Sequence, residues 1–190
     1  DFERARAFAL SVLDGLSASV CVLDMHGTIL AVNRSWKEFY VANGGSAGVL
    51  HVGMNYLQVA GAATTSSDQP GGSASFKDLL EQVLAGERDH FEWEYPCHTP
   101  TTKRWFIARV SCMKGVHPMR VVVAHDDITV VKQAQESARE ALQFSRNLID
   151  SMQDGFSVLD HTGRATHANP ALCRMTGFSA DELIGQVAPF

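Results

Sequence analysis

Several features that commonly reveal a function are missing from this 190-residue sequence. Its lysines and arginines form no run and its formal net charge is -5, so it has no electrostatic footprint for nucleic acid. No stretch approaches the ~20 apolar residues that span a bilayer, and no signal peptide is recognisable. These absences predict a cytoplasmic protein without a nucleic-acid partner and without direct membrane contact in this fragment.

Cysteine pairs and catalytic motifs are also missing. The sequence has no GxSxG elbow, no P-loop and no HExxH motif, and the adjacent Asp126 and Asp127 point to opposite faces of a strand. We therefore expect this fragment not to be an enzyme and to hold no metal site. Four cysteines occur without CxxC spacing, which is typical of reduced thiols. They are Cys21, Cys97, Cys112 and Cys173.

An internal repeat is the most informative feature that is present. VLDMHGTILAVN (22–33) matches VLDHTGRATHAN (158–169), with Val, Leu, Asp, Gly and Asn in the same places. The displacement is 136 residues, and the similarity extends backwards so that Asp14 lies over Asp150. A repeat of this length indicates tandem domains rather than a short-period solenoid.

Hydrophobic periodicity predicts the elements of the first domain. An amphipathic helix is expected over 1–16, and a hairpin over 20–23 and 28–32, after which Asn33 caps a second helix. The segment from 43 to 75 is rich in Gly, Ser, Ala and Thr. It is expected to hold a short helix within 49–60 and a surface loop over 64–75.

The rest of the first domain predicts one helix and three strands. Ser75 is expected to cap a helix that ends at Gly86. Alternating and continuous apolar runs then predict strands over 90–95, 105–113 and 119–125. Two strands, a helical middle and three strands predict an α+β fold, in which helices cover one face of a five-stranded antiparallel sheet.

A long helix with a 3.5-residue apolar period follows. This period is typical of a coiled-coil seam, so we expect the helix to form a homodimer. The alternative is a helix that packs the same stripe on its own domain. The seam residues are Ile128, Val131, Gln135, Ala138, Leu142, Ser145, Ile149 and Met152.

The second domain starts like the first and lacks its last three strands. Strands are expected over 156–159 and 164–168, with a helix from Asn169 and a capping box at Ser179–Glu182. Two strands alone bury too little surface, so completion by chain beyond 190 or by a partner is expected. The predicted division is an N-terminal helix (1–16), a first domain (17–129), a coiled coil (130–152) and an incomplete second domain (153–190).

These residues and their order resemble the PAS family of sensory domains. The resemblance rests on VLDMHGTILAVN, on SFKDLLEQVL (75–84), on HDDIT (125–129) and on GFSVLDHTGRATHANPALCRMTGFSADELIGQ (155–186). It implies a sheet cupped around a pocket that senses a ligand, a redox state or light. It also implies relay through a coiled coil to an output domain outside this fragment, of the histidine kinase or cyclic-di-GMP turnover type. In the D-I-T ending it assigns Asp127 to coupling the last strand to the exit helix, and we expect Thr129 to take part in the same relay.

The residues themselves suggest a mainly apolar pocket for a small ligand. Phe91 or Trp93 is expected to face it, whereas His125 lies at a strand end and carries no pattern. Arg109, a charge inside a strand, either faces water or anchors an anionic ligand. The predicted pocket residues are Asn33, Trp36, Tyr56, Trp105, Arg109 and Val123.

No bound cofactor is expected, with haem and flavin kept as alternatives. Light-sensing relatives carry their reactive cysteine in an NCRFLQ-like motif, and the sequence around Cys173 does not match it. Non-covalent binding of flavin would rely on Asn33, Trp36 and Trp105. Haem-binding relatives use a histidine on the helix before the third strand, where this chain has none. His51, three residues from Met54, is the weak haem candidate. A ligand-free dimerisation module is the remaining alternative.

Overall fold

A computed structural model describes residues 2–42, 46, 51–60, 75–98 and 102–187. The chain divides into two compact units, with the boundary between Lys132 and Gln133. The predicted loop at 64–74 lies outside the described residues. Within the described ranges, no helix is both long and apolar enough to cross a membrane.

The first unit carries most of the predicted elements. Its helices and strands are α1 Phe2–Asp14, β1 Ser19–Leu23, β2 Ile29–Val32, α2 Arg34–Ala42, α3 Tyr56–Ala60, α4 Phe76–Leu84, β3 His90–Pro96, β4 Trp105–Cys112 and β5 Val121–Asp127. The long helix α5 spans Thr129–Ser151 and crosses the boundary between the units. The second unit contains β6 Ser157–Leu159, β7 Ala165–Ala168, α6 Pro170–Thr176 and α7 Ala180–Leu183.

The sheet of the first unit has five antiparallel strands in the order β2-β1-β5-β4-β3, which confirms the predicted fold. The first strand therefore lies beside the last, with Cys21 opposite Val123. β5 begins later than the sequence predicts, at Val121, and continues to Asp127. This places the end of the last strand one residue before α5.

Alternation along the strands defines the inner face of the sheet. In β3, Phe91, Trp93 and Tyr95 are buried, whereas His90, Glu92 and Glu94 are exposed. The buried residues pack against α4, whose own buried face consists of Phe76, Leu80 and Val83. A capping box between Ser75 and Asp78 starts this helix, as predicted.

Asn33 ties α1, β1 and α2 together. Its side-chain oxygen accepts hydrogen bonds from the backbone N–H of Val20 (2.9 Å) and of Trp36 (3.0 Å), the latter being the predicted helix cap. Its side-chain amide donates to the carbonyls of Leu13 (3.0 Å) and Ala18 (2.8 Å). The residue is 1 % exposed and all four bonds go to backbone groups.

The start of α5 is fixed by hydrogen bonds to the sheet. The Asp127 carboxylate accepts from the backbone N–H of Thr129 at 2.9 Å. The Thr129 hydroxyl oxygen accepts from the backbone N–H of Trp105 at 3.0 Å, and the Ile128 N–H donates to the Trp105 carbonyl at 2.9 Å. No residue of α5 is buried, and Val131 and Leu142 are among its exposed apolar side chains. The coiled coil stays a prediction.

Candidate ligand-binding cavity

A cavity of about 130 Å³ lies between the inner face of the first unit's sheet and helices α2, α3 and α4. Its wall is mostly aromatic. The lining residues are Ser19, Trp36, Phe39, Tyr40, His51, Tyr56, Val59, Phe76, Trp93, Tyr95, Cys97, Phe106 and His125. No lysine, arginine, aspartate or glutamate belongs to this described wall.

His125, on β5, is the polar centre of the cavity. Its Nε2 lies 2.8 Å from the Tyr56 hydroxyl and its Nδ1 lies 2.7 Å from the Tyr95 hydroxyl. The Tyr56 ring is nearly parallel to the imidazole, with centroids 6.2 Å apart, and the Trp36 ring is tilted against it at 5.9 Å. Burial lowers the pKa of His125 to about 4, so the imidazole is neutral at pH 7.

Both tyrosines of this cluster stay protonated. Burial raises the pKa of Tyr56 well above its ordinary value, with smaller contributions from Cys21 and Tyr95. Burial likewise raises the pKa of Tyr95, and Cys97 adds to the effect. The three side chains thus carry three acidic hydrogens, one on each hydroxyl and one on the ring.

Two contacts use only two of these three hydrogens. In either tautomer, the imidazole donates to one tyrosyl oxygen and accepts from the other hydroxyl. The tyrosine that accepts keeps its own O–H, for which no acceptor occurs among the described residues. The Tyr56–His125–Tyr95 cluster therefore presents one unused donor.

His51 and Trp36 form a second polar contact at the cavity wall. The Trp36 indole N–H donates to Nδ1 of His51 at 3.2 Å, and the Tyr40 ring packs edge-on against the imidazole at 4.2 Å. Desolvation lowers the pKa of His51, which is 6 % exposed. Its backbone has φ 57°, a left-handed conformation that is uncommon outside glycine.

Trp93 contributes an orphaned donor. The side chain lines the cavity and is 5 % exposed, and its Nε1 is buried without a hydrogen-bond partner. Buried N–H groups are nearly always paired, so each exception needs an explanation.

The structure brings some of the predicted site residues together and separates others. Trp36, Tyr56 and the weak haem candidate His51 all line the cavity. Met54, the soft ligand considered beside His51, is 44 % exposed and does not line the wall. Asn33 is buried, but its hydrogen bonds brace the backbone and it is not part of the wall.

Three predicted pocket residues lie elsewhere. Arg109 faces solvent on the outer side of the sheet, where it pairs with Glu92 at 2.9 Å and with Asp126, so it does not anchor an anion in the cavity. Trp105 packs edge-on against His98 at the end of β4, with centroids 5.0 Å apart. Val123 is fully buried in the core but does not border the empty space.

The physical reason for the positions of Arg109 and Trp105 is strand parity. In β4 the inward residues are Phe106, Ala108 and Val110, which leaves Arg109 and Trp105 on the opposite side. The near-continuous apolar run WFIARV hides this parity in the sequence. Reading it from the exposed Arg109 predicts Phe106 as the lining residue.

His125 and Tyr95 are the two members of the polar cluster that the sequence analysis missed. Alternation from Val121 and Val123 puts His125 on the same face as these core valines, and HFEWEY puts Tyr95 beside Trp93. The signal was therefore present in the period of two. The sequence analysis did not place His125 in the pocket, because this histidine lies at a strand end and belongs to no motif.

Comparison with known proteins gives two matches to family models described as the PAS fold. One covers residues 13–133 and the other covers residues 143–187. These ranges coincide with the complete sheet and with the second copy of the repeat.

Two curated proteins of Rhodobacter capsulatus are similar in sequence. An uncharacterised 104.1 kDa protein in the hypE 3′ region is 37 % identical over 121 residues, or 63 % of this chain and 12 % of that protein. The C4-dicarboxylate transport sensor protein DctS is 25 % identical over 83 residues, or 44 % of this chain and 13 % of that protein. The chain thus spans about an eighth of each relative.

Solved structures include the PAS domain of BvgS from Bordetella pertussis. It is 15 % identical, with a TM-score of 0.42, and the match covers 77 % of this chain and 97 % of that domain. A PAS domain of an HTR-like protein from Haloarcula marismortui matches at 15 % identity and a TM-score of 0.42, over 67 % of this chain and 94 % of that domain.

Proposed function

The chain belongs to the PAS family, and on that premise we propose that its first unit is an input module that detects a small ligand in the cavity. The module relays the signal through α5, as a homodimer, to an output domain outside this fragment. The observation that carries the proposal is the position of His125, which is at once the centre of the cavity and part of the strand that leads into α5.

A short, hydrogen-bonded path joins His125 to the helix. Two residues beyond it, the Asp127 carboxylate accepts a hydrogen bond from the Thr129 N–H. The Thr129 hydroxyl in turn accepts one from the Trp105 N–H of β4. A ligand that shifts the Tyr56–His125–Tyr95 cluster acts directly on β5 and so on the first turn of α5. Relays of this kind need a helix with two packing states, which a dimeric seam supplies.

The unburied face of α5 supports the homodimer. The helix is 23 residues long, its seam includes Val131 and Leu142, and these side chains are 55 % and 56 % exposed. An apolar stripe at 3.5-residue spacing is stabilised when a second copy of the same helix covers it.

Similarity to part of a sensor protein supports a signalling output. DctS is named as a sensor of C4-dicarboxylate transport, and this chain resembles an eighth of it. We propose a histidine kinase or a cyclic-di-GMP turnover domain as the output.

The size of the cavity favours a small ligand over haem or flavin. About 130 Å³ is close to the ~150 Å³ of an engineered apolar cavity that binds benzene. A porphyrin contains several linked rings and an isoalloxazine several fused rings, so both are much larger than benzene. An absorption spectrum without bands between 300 and 700 nm is the expected result for the purified chain.

Disulfide trapping tests the homodimer. We expect an Ala138→Cys variant to form a covalent dimer under mild oxidation, because this seam position lies next to its counterpart in the second copy. Glu140→Cys, two residues away on another helix face, is the matched control, and the unsubstituted chain reports any trapping through native cysteines. Equal trapping at both positions, or a monomer in sedimentation equilibrium, would contradict the proposal.

The relay is tested in the full-length parent protein. Deleting Gln135 shifts every later residue of α5 by about 100° around the helix, so the output should lose its response to the input. Deleting residues 134–140 removes one heptad, restores the seam and should restore the response. An unaltered response after the single deletion would refute relay through this helix.

A further inference from the structure

We propose that the cavity selects an uncharged molecule of about one ring that carries a hydrogen-bond acceptor, held by the Trp93 N–H and the unused O–H of the Tyr56–His125–Tyr95 cluster. This inference deepens the proposed function, because it takes the cavity as the sensory site. It depends on neither the dimer nor the relay.

The absence of charged side chains from the described part of the wall determines the charge of the ligand. The histidines of the wall are neutral at pH 7, and the one arginine of β4 points to the other side of the sheet. A carboxylate that enters such a site loses its hydration without gaining a cation, which is strongly unfavourable. A C4-dicarboxylate, the molecule named for the relative DctS, therefore does not suit this cavity.

The aromatic wall and the volume determine the size. Phe39, Phe76 and Phe106 border the space together with tryptophan and tyrosine rings, and these side chains favour stacked or edge-on contacts with another ring. The volume of about 130 Å³ admits one such ring with a small substituent.

The two unused donors determine the polar group. Trp93 offers an indole N–H without a partner, and the cluster offers one tyrosyl O–H. Both are buried hydrogens that lack acceptors. The oxygen of a carbonyl or an ether, or the nitrogen of a nitrile, can accept hydrogen bonds from these donors. A purely apolar molecule leaves both donors unpaired.

Four probes of graded chemistry test this selection in the whole chain. Benzonitrile is neutral with an acceptor, toluene is neutral without one, benzoate has the ring and a charge, and succinate has charge without a ring. We expect benzonitrile to bind about three- to ten-fold more tightly than toluene, which is the effect of a hydrogen bond to a neutral donor. Benzoate and succinate should show no saturable binding.

Tryptophan indole signals in a ¹H–¹⁵N spectrum locate the ligand. The chain has three tryptophans. Benzonitrile should move the Trp93 indole proton downfield and leave the Trp105 proton in place. Trp93→Phe keeps an aromatic ring but removes one of the two donors, so the preference for benzonitrile over toluene should fall by about two- to three-fold. Trp105→Phe, outside the cavity, is the matched control and should keep the preference.

Each other outcome overturns the inference. Equal affinity for benzonitrile and toluene would show that the buried donors do not select, and tighter binding of benzoate or succinate would reverse the charge argument. No binding of any probe up to its solubility would mean that the cavity is a packing defect. The unsubstituted chain decides these points even where Trp93→Phe does not fold. Disulfide trapping in α5 reports on the proposed relay separately.

Discussion

The two units are built around equivalent asparagines that make the same four hydrogen bonds. Asn169 accepts from the N–H of Phe156 and of Leu172, each at 2.9 Å, and donates to the carbonyls of Ile149 and Asp154, each at 3.0 Å. Every partner lies 136 residues after the corresponding partner of Asn33. The repeat therefore preserves a bracing network and not only a pattern of side chains.

The hairpin turns agree to the same degree. Asp24 accepts from the backbone N–H of His26 and Thr28, and Asp160 accepts from those of Thr162 and Arg164. Gly27 and Gly163 have φ of 77° and 80°, a conformation that other residues rarely adopt. Each hairpin also has a register shift at the same place, before Leu23 and before Leu159.

The units differ where the first one has its cavity. His51 and Leu183 hold the same backbone position, since their carbonyls accept from Met54 at 3.0 Å and from Gln186 at 3.1 Å. Leu183 is a plain core residue at 1 % exposure, whereas His51 is bonded to Trp36, whose counterpart is Leu172. Positions that depart from the repeat thus mark the polar wall of the cavity, and positions that keep it mark the scaffold.

The largest effect is expected at the shared asparagine. Asn33→Ala removes four hydrogen bonds to buried and half-buried backbone groups, so we expect the free energy of unfolding of the first unit to fall by about 3 to 5 kcal/mol. Urea denaturation followed by tryptophan fluorescence measures this, because all three tryptophans lie in the first unit.

Asn169→Ala is the matched variant in the second unit. It should speed amide hydrogen exchange at Phe156 and Leu172, whose N–H groups lose their acceptor, and leave Val20 and Trp36 protected. Loss of less than about 1 kcal/mol in Asn33→Ala would mean that water replaces the four bonds and that the network is not the brace of the repeat.

The same comparison explains how far the sequence predicts this molecule. The repeat, the caps at Asn33 and Ser75 and the five strands follow from local chemistry, because turns and alternation involve neighbours in the chain. The cavity does not follow, since Tyr95 meets His125 only through the strand order of the sheet, and Tyr56 meets it only through the packing of α3 on that sheet.

The next largest effect is the dependence of the first unit's stability on pH. The folded pKa of His125 is about 4, below the ordinary 6.5, so the unfolded chain takes up a proton first as the pH falls. The stability of the first unit is complete above pH 6.5 and should fall by about 3 kcal/mol as the pH approaches 4. Urea denaturation at several pH values measures this. His125→Gln should flatten the dependence in that window, and an unchanged slope would contradict a neutral, buried His125.

A smaller effect is expected where aromatic and polar residues replace the leucines of the second unit. Trp36→Phe removes the donor to His51, and His51→Ala removes the acceptor. A double-mutant cycle cancels the cost of a left-handed alanine, because both His51 variants carry it. We expect a coupling energy of about 1 kcal/mol from denaturation data. Zero coupling would mean that the hydrogen bond between Trp36 and His51 does not contribute to stability. The two units would then differ at these positions only in the shape of the side chains.

The smallest effect distinguishes the two turns. Desolvation raises the pKa of Asp24, but hydrogen bonds from Thr28 and His26 together leave it below its ordinary value. For Asp160 the hydrogen bond from the Thr162 hydroxyl is the largest cause of a lowered pKa, followed by the Arg164 backbone. Thr162→Val removes that hydroxyl and should raise the pKa of Asp160 in a carboxyl ¹³C titration, leaving Asp24 unchanged. A carboxyl pKa that folding lowers contributes stability that is complete above the ordinary pKa and is lost as the pH falls through the folded pKa, so the variant should also retain less of the turn's stabilisation at neutral pH. An unmoved Asp160 would show that the backbone bonds shared by both turns set the carboxyl pKa alone.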